Sequence, residues 1–301
     1  MHIKNVLLVF LILFVVTACK NQDQNATQSN MFLTDKIPGD TPIPFKPELV
    51  TSNKLVHRGI FSTDMETYYF TISNTDFSSF DVKMSRKKEG VWSTPVNAFF
   101  NSTYNEHGMS FSPDGNTLVF ASTRSVDTEE VSDTWHLWKS QKQNGKWSEP
   151  QFIDIPNLRD KLMSHPTLTN DGILYFHSSN IDYSNMEIWY ATLENDQYLP
   201  AKKLQLNINQ AKGYCTPYIS ADGEHLIFAV IKEHLELNIS HKTGVNEWST
   251  PIIIPEYINH NGQGNPYLTP DGKFLFYATE DVNKENTWHI NWVSTKSFIN
   301  K

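Results

Sequence analysis

Ser110-Phe-Ser-Pro-Asp-Gly-Asn-Thr-Leu-Val-Phe-Ala-Ser122 decides the fold, because the chain repeats it. Further copies read Thr167-Leu-Thr-Asn-Asp-Gly-Ile-Leu-Tyr-Phe-His-Ser178, Tyr218-Ile-Ser-Ala-Asp-Gly-Glu-His-Leu-Ile-Phe-Ala229 and Tyr267-Leu-Thr-Pro-Asp-Gly-Lys-Phe-Leu-Phe-Tyr-Ala278. Ile60-Phe-Ser-Thr-Asp-Met-Glu-Thr-Tyr-Tyr-Phe-Thr71 is a degenerate first copy. The repeat aspartates stand at intervals of 50, 57, 51 and 49 residues. Proline presets φ and glycine accepts positive φ, so each Asp-Gly is a tight turn between two strands.

A second landmark follows each of the first four copies: Trp92-Ser-Thr-Pro95, Trp147-Ser-Glu-Pro150, Tyr198-Leu-Pro200 and Trp248-Ser-Thr-Pro251. Asn144-Gly145 before Trp147 is a hairpin signal. Each unit is therefore expected to be a four-stranded antiparallel meander, a to d. Strand a ends at the Asp-Gly turn. Strand b carries alternating apolar residues such as Leu118 and Phe120. Strand c carries patterns such as Trp135-His-Leu-Trp138, and strand d starts near Trp-x-x-Pro. One meander cannot bury both its faces alone, whereas radial stacking can. The fold class expected is all-β, a single β-propeller of four-stranded blades.

The quoted repeats resemble the WD40-like, Ser-Pro-Asp-Gly-type repeats of TolB-type β-propellers. The resemblance spans about 260 residues and implies the fold, not an activity. Five Asp-Gly landmarks suggest five blades, with six possible, since the TolB-type domain itself has six. Closure at five is favoured because the last unit runs out after Trp288-His-Ile-Asn-Trp-Val293 with no strand d. The missing piece stands at the front. Phe45-Lys-Pro-Glu-Leu-Val-Thr-Ser52 precedes His57 as Trp92-Ser-Thr-Pro95 precedes His107. An N-terminal strand completing the last blade would remove an exposed sheet edge.

The N-terminus gives the expected address. Val6–Val16 is an apolar run of eleven residues. A bilayer core needs about 20, so the run is too short for a span and reads as a signal peptide. Val16-Thr-Ala-Cys19 resembles the lipobox of bacterial lipoproteins, which implies cleavage before Cys19 and acylation of it. Lipid at Cys19 would then be the membrane partner. Residues 1–18 are the expected signal peptide, 19–42 a lipidated flexible tether and 43–301 the propeller. The polar stretch Lys20–Asn30 has almost nothing to bury. A linker of about 20 residues reaches roughly 25 Å. Lys20 after the cysteine resembles outer-membrane sorting, facing either the periplasm or the cell surface. Cys215, the second of two cysteines, then has no disulfide partner.

Composition excludes some functions. With 19% charged and 13% aromatic residues the chain can build a large core. Its net charge of −8 repels phosphate backbones, so no nucleic-acid partner is expected.

Antiparallel alternation sorts the loops. The a–b and c–d turns share one face, the b–c and d–a loops the other. The d–a loops feed the innermost strands and converge on the axis. Seven and six residues before each repeat aspartate stand His57-Arg58, His107-Gly108, Ser164-His165, Cys215-Thr216 and Gly264-Asn265, with Glu106 and Tyr214 adjacent. His57, Arg58, Glu106, His107, His165, Tyr214 and Asn265 are thus the candidate ligand-binding residues at the channel mouth. Three readings stay open: strand-end caps bonded to neighbouring blades, an anion or glycan site, or a metal site. The spacing comes from the repeat and carries no metal signature, so neither metal nor cofactor is expected.

The b–c loops vary. Arg124–Asp133 is long and acidic, while Asn74-Thr-Asp-Phe77 and Asn180-Ile-Asp-Tyr183 pair polar with aromatic residues. Such a rim suits a glycan or a basic protein. Trp92, Trp147 and Trp248 share one repeat position and are expected to pack blades. His136 and His289 are expected to be structural, and Cys215 a core residue. Five-bladed propellers include glycosidases, which need axial carboxylates, and the innermost strands here carry none. The leading expectation is a non-enzymatic, envelope-anchored binding propeller for a protein or glycan on the b–c/d–a face. The alternative is a lyase or hydrolase acting on polysaccharide through the His/Arg cluster.

Overall fold

The structure is a computed structural model that describes residues 32, 34, 36–46, 54–128, 130–206, 208–245, 247–260, 262–280 and 288–299. The signal peptide, Cys19 and the polar stretch after it lie outside the described residues, as do 47–53, Glu129 and Asp281. Among the described residues no helix is long and apolar enough to cross a membrane.

The chain forms a five-bladed β-propeller of antiparallel meanders. A short strand β1 (Ile43–Pro44) comes first. Blade one holds β2 (Leu55–Phe61), β3 (Thr67–Ser73), β4 (Phe80–Lys88), β5 (Val91–Trp92) and β6 (Val96–Asn97). Blade two holds β7 (Glu106–Phe111), β8 (Thr117–Ser122), β9 (His136–Gln143), β10 (Lys146–Trp147) and β11 (Gln151–Phe152). Blade three holds β12 (Leu162–Leu168), β13 (Leu174–Ser179) and β14 (Glu187–Ala191), a hairpin of β15 (Leu193–Glu194) and β16 (Gln197–Tyr198), and the outer β17 (Lys202–Lys203). Blade four holds β18 (Gly213–Ile219), β19 (His225–Ile231), β20 (Leu235–Gly244), β21 (Glu247–Trp248) and β22 (Ile252–Ile253). Blade five holds β23 (Gln263–Leu268), β24 (Phe274–Thr279) and β25 (His289–Ser294).

The N-terminal strand does close the ring: β1 pairs antiparallel with β25, Ile43 opposite Trp292 and Pro44 opposite Asn291. Pro44 is tolerated because this is an outer edge, where a missing N–H interrupts no ladder. The pairing starts two residues earlier than the Phe45–Ser52 segment suggested. Packing starts earlier still. Phe32, assigned above to the tether, is 2% exposed and lies within 5.5 Å, ring to ring, of Phe61, Phe274 and Trp292. An apolar ring at that position has a pocket to fill, so packing against the propeller reaches back to residue 32.

The Asp-Gly copies make one turn. Asp114 Oδ1 accepts from Ser112 Oγ at 2.6 Å and from Asn116 N at 3.0 Å, while Thr117 N donates to Ser112 Oγ at 2.9 Å. Gly115 takes φ of 71°. Ser62/Asp64 in the degenerate copy makes the same bonds, with Met65 at φ 60° where the glycine should be. A side chain there costs about 1–2 kcal/mol.

Trp-Ser-x-Pro also has a mechanical reason. The proline removes a donor and splits the fourth strand into two short pieces, both paired with the third. The serine fills the gap. Ser85 Oγ donates to Ser93 O at 2.6 Å and Arg86 N donates to Ser93 Oγ at 3.1 Å, and Ser140/Ser148 and Ser240/Ser249 repeat the pattern. The tryptophans pack, as expected: Trp92 on Phe61, Trp147 on Phe99 and Phe111, Trp248 on Tyr175.

The second strands differ from the expected alternation. Leu118, Val119, Phe120 and Ala121 are all fully buried, as are Leu226 to Val230. A blade has neighbours on both faces, so its inner strands read as continuous apolar runs rather than as half-buried ones.

Candidate functional site

Each innermost strand is bulged near the same place, the shift in the first blade falling at His57, slightly earlier than in the other four. The register with the second strand shifts between Val56 and Arg58, His107 and Ser110, Ser164 and Thr167, Cys215 and Tyr218, and Gly264 and Tyr267. A bulge re-aims side chains and bends the strand. Here it acts on the two repeat positions singled out above. Gly108, His165, Thr216 and Asn265 take φ of 64°, 53°, 46° and 54°. Three of these carry side chains in a left-handed conformation that costs of order 1 kcal/mol or more each.

The bulges converge. A Cβ on Gly108 would stand 3.1 Å from the His165 Cα. Asn265 N donates to Thr216 Oγ1 at 3.2 Å, and Thr216 N donates to His177 Nδ1 at 3.1 Å. The Ser164 hydroxyl sits 3.3 Å from His107 Nε2 and 3.0 Å from His165 Nδ1. The His107 and His165 ring centroids lie 4.8 Å apart, and His177 stacks on His165 at 5.0 Å. An aromatic collar surrounds them. His107 meets Trp135 edge-on at 4.1 Å and Phe80 at 5.3 Å, and His57 lies near Phe77, Phe80 and Trp288.

These imidazoles are held neutral. Burial lowers His57 to about 4 and His177 to about 3. Burial also lowers His107 and His165 well below the ordinary value, and mutual repulsion among the ring cations adds to it. Tautomers follow from partners. Ser73 Oγ donates to Asn74 O, so it accepts from His57 Nε2, 2.7 Å away. His177 Nδ1 accepts from a backbone N–H, so its proton sits on Nε2.

Arg58 lies deepest. It is 0% exposed, and Nε, Nη1 and Nη2 all lack a hydrogen-bond partner. Its charge bears on His107, His165, Tyr218 and Tyr267. Burial lowers it to about 10, still charged at neutral pH. Asn265 Oδ1 is likewise buried, and the Asn265 side chain, beside His165, offsets a small part of the lowering of that histidine.

The structure thus gathers His57, Arg58, His107, His165 and Asn265. It separates two candidates from them. Glu106 is fully buried inside its blade, where it accepts from Ser102 Oγ at 2.6 Å and Ser122 Oγ at 3.1 Å and pairs with Arg124 at 3.3 Å. Strand alternation turns Glu106 away from the axis that its neighbour His107 faces. Tyr214 donates from its hydroxyl to Leu206 O at 2.7 Å and packs on Phe228 of its own blade. Both are structural. Cys215 is a buried free thiol pushed up to about 12, and His136 bonds Ser132 O at 2.7 Å.

Sequence reading missed His177, which had a signal: three of the other four second strands have alanine there, Ala121, Ala229 and Ala278, and the fourth has Thr71. The collar ring Trp135 was read only as strand pattern. Two rim turns are one motif: in Asn74–Ser78 and Asn180–Ser184 the asparagine bonds the serine hydroxyl at 3.0 and 2.9 Å. Each lifts an exposed aromatic, Phe77 or Tyr183, at positive φ. Among the described residues no group of three His, Cys, Asp or Glu is placed to hold a metal.

The architecture is a five-bladed β-propeller, similar in fold to propellers of the TolB type. No family model and no curated protein matches the chain, but solved structures do. TolB from Acinetobacter baumannii superposes with a TM-score of 0.50 at 15% identity, over 81% of this chain and 55% of that one. The chain therefore spans about half the length of that protein. A putative TolB from Agrobacterium tumefaciens gives 0.50 at 14% identity, over 78% and 74%. The endo-arabinase from Bacteroides thetaiotaomicron gives 0.49 at 12%, over 86% and 97%. Likeness at such identity is one of fold, and activity does not travel with it.

Proposed function

We propose that the protein is an envelope-anchored lipoprotein whose propeller is a non-enzymatic binding module, with a glycan ligand seated at the axial mouth. The observation that carries this reading is the ring of bulged strands, which brings His57, His107 and His165 together inside a collar of Phe80, Trp135 and Trp288. Aromatic faces with a few neutral donors and acceptors are what a sugar ring requires: apolar faces for its C–H groups and fixed partners for its hydroxyls. Neutral imidazoles supply those partners without attracting a counter-ion. The exposed Phe77 and Tyr183 extend the apolar surface onto the rim. The envelope address rests on the apolar run Val6–Val16 followed by Thr17-Ala18-Cys19.

A glycan array probed with the purified protein and with Phe77→Ala/His107→Ala tests the reading. Binding in the wild type should fall roughly tenfold or more in the variant, the scale of one lost ring contact plus one hydrogen bond. Equal binding by both would move the site elsewhere. Cleavage of a bound polysaccharide by the wild type would replace the binding module with the lyase or hydrolase alternative.

A further inference from the structure

Arg58 stands out among the ring residues. A guanidinium carries five N–H donors and stays charged at neutral pH. Taking such a cation out of water costs several kcal/mol unless an opposite charge or a full set of acceptors replaces the solvent. Arg58 is fully buried, all three of its nitrogens are unpartnered, and no described carboxylate forms an ion pair with it. A half-buried arginine shows the contrast. Arg124 has Glu106 at 3.3 Å, the Phe100 carbonyl as acceptor, and the Phe120 and Trp138 rings beneath it.

The surroundings define what could complete Arg58. The four nearby imidazoles are neutral, so the axis carries one positive charge and needs one negative charge. A polyanion is disfavoured by the chain's net charge of −8. Two parallel N–H donors of a guanidinium match the two oxygens of a carboxylate. Tyr218 and Tyr267, which feel the Arg58 charge, line a cavity of about 410 Å³ that opens among the Asp-Gly turns, with Phe61, Phe111 and Thr167; Arg58 itself stands behind that lining, so a carboxylate reaches it only past these rings. That volume lies in the range of small-molecule pockets and exceeds what an inorganic ion fills.

We infer that Arg58 is the anion-binding residue of the axial channel and takes a single carboxylate, free or carried by a sugar acid. The inference rests on the reading of the channel as a ligand site and names the chemistry recognised there.

The test uses the purified full-length protein in detergent, in a medium free of halide and carboxylate. Acetate, glucuronate and glucose are titrated separately, read by calorimetry and by the thermal unfolding midpoint. Both carboxylates should bind and raise the midpoint, and glucose, with no charge, should not raise it through Arg58. In Arg58→Met, carboxylate affinity should fall roughly ten- to a hundredfold, while the ligand-free midpoint stays equal or rises, since the unpaired charge is gone. Acetate binding without glucuronate binding would still support the anion site and identify its source as a free small anion. Carboxylates that bind Arg58→Met as well as wild type would overturn the assignment, as would a wild type that binds neither. If Arg58→Met does not fold, wild-type crystals soaked in bromide decide: an anomalous peak at the guanidinium supports the inference, and water alone there refutes it. Glycan binding lost in Phe77→Ala/His107→Ala, together with no carboxylate response, would leave the proposed function standing and remove this inference alone.

Discussion

Acidification should unfold this protein through its axial histidines, well before its carboxylates titrate. His57 and His177 have folded-state pKa values lowered by burial to about 4 and about 3, against an unfolded value of 6.5. The unfolded chain therefore binds protons that the folded chain refuses, and stability falls as pH falls. The contribution of each group is fully present above 6.5 and is lost as pH drops toward its folded value. Integrating the two titration curves from about pH 7 to about pH 5 gives a loss of about 2 kcal/mol per histidine, or about 4 kcal/mol for the pair. His107 and His165 are shifted in the same direction by burial and add to the loss. Glu106, raised by its burial, acts oppositely, but as one group against four. Small domains are stable by about 5–15 kcal/mol, so the effect is a large fraction of the total. Urea unfolding between these two pH values should show it as a falling midpoint at constant slope. His177→Asn, which keeps an acceptor for Thr216 N, and His57→Gln, which keeps a donor for Ser73, should each flatten the dependence. A midpoint that does not move between these pH values would refute the claim that the imidazoles are buried and neutral.

Three further expectations follow from the packing. Phe45 is 4% exposed and touches the Phe61, Tyr68, Phe276 and Trp292 rings, so Phe45→Ala should cost about 3–5 kcal/mol in denaturant unfolding; an unchanged midpoint would deny the N-terminal segment its closing role. Glu106→Ala strands the Arg124 charge and should cost about 3–5 kcal/mol, with part regained in Glu106→Ala/Arg124→Met; a folded Glu106→Ala protein that loses only glycan binding would return Glu106 to the site. Cys19→Ala should abolish lipid labelling and release the protein from membranes, and a labelled, membrane-bound variant would remove the anchor.

The blade count, the turn at each Asp-Gly and the closing N-terminal strand were legible because each is a local rule repeated. Ser112, Asp114 and Gly115 fold their own turn with bonds no longer than 3.0 Å, whatever the rest of the chain does. Boundaries were less legible. Phe32 looked like tether because Met31-Phe32-Leu33, followed by Pro38 and Pro42, shows no strand period, and only the gap beside Trp292 gives the ring a place. The site was half legible. Position within the repeat located the bulges, but not which way a bulged residue turns. Glu106 and His107 are adjacent in sequence, yet one is sealed against Ser122 and the other faces the axis. His177 and the unpartnered state of Arg58 depend on contacts between blades, which no single repeat contains.

The same comparison between repeats bears on whether the ring is structure or site. Where the repeat needs a mechanical part, it uses one solution: Ser or Thr with Asp at all five turns, and Trp-Ser at three of the outer strands. The position six residues before the repeat aspartate is different in every blade: Arg58, Gly108, His165, Thr216 and Asn265. Some of these do staple blades, since Thr216 bonds both Asn265 N and the His177 ring. A staple alone, however, would be met by one residue used five times, and glycine would relieve the left-handed strain wherever no side chain was needed. Only one blade uses glycine there, and in that blade a Cβ would strike His165. Three blades instead bear the strain to present a histidine, a threonine and an asparagine, and a fourth buries an unpaired cation. Local rules are broken together at one end of one axis, and strain gathered in this way is how a scaffold holds a binding site in place before the ligand arrives.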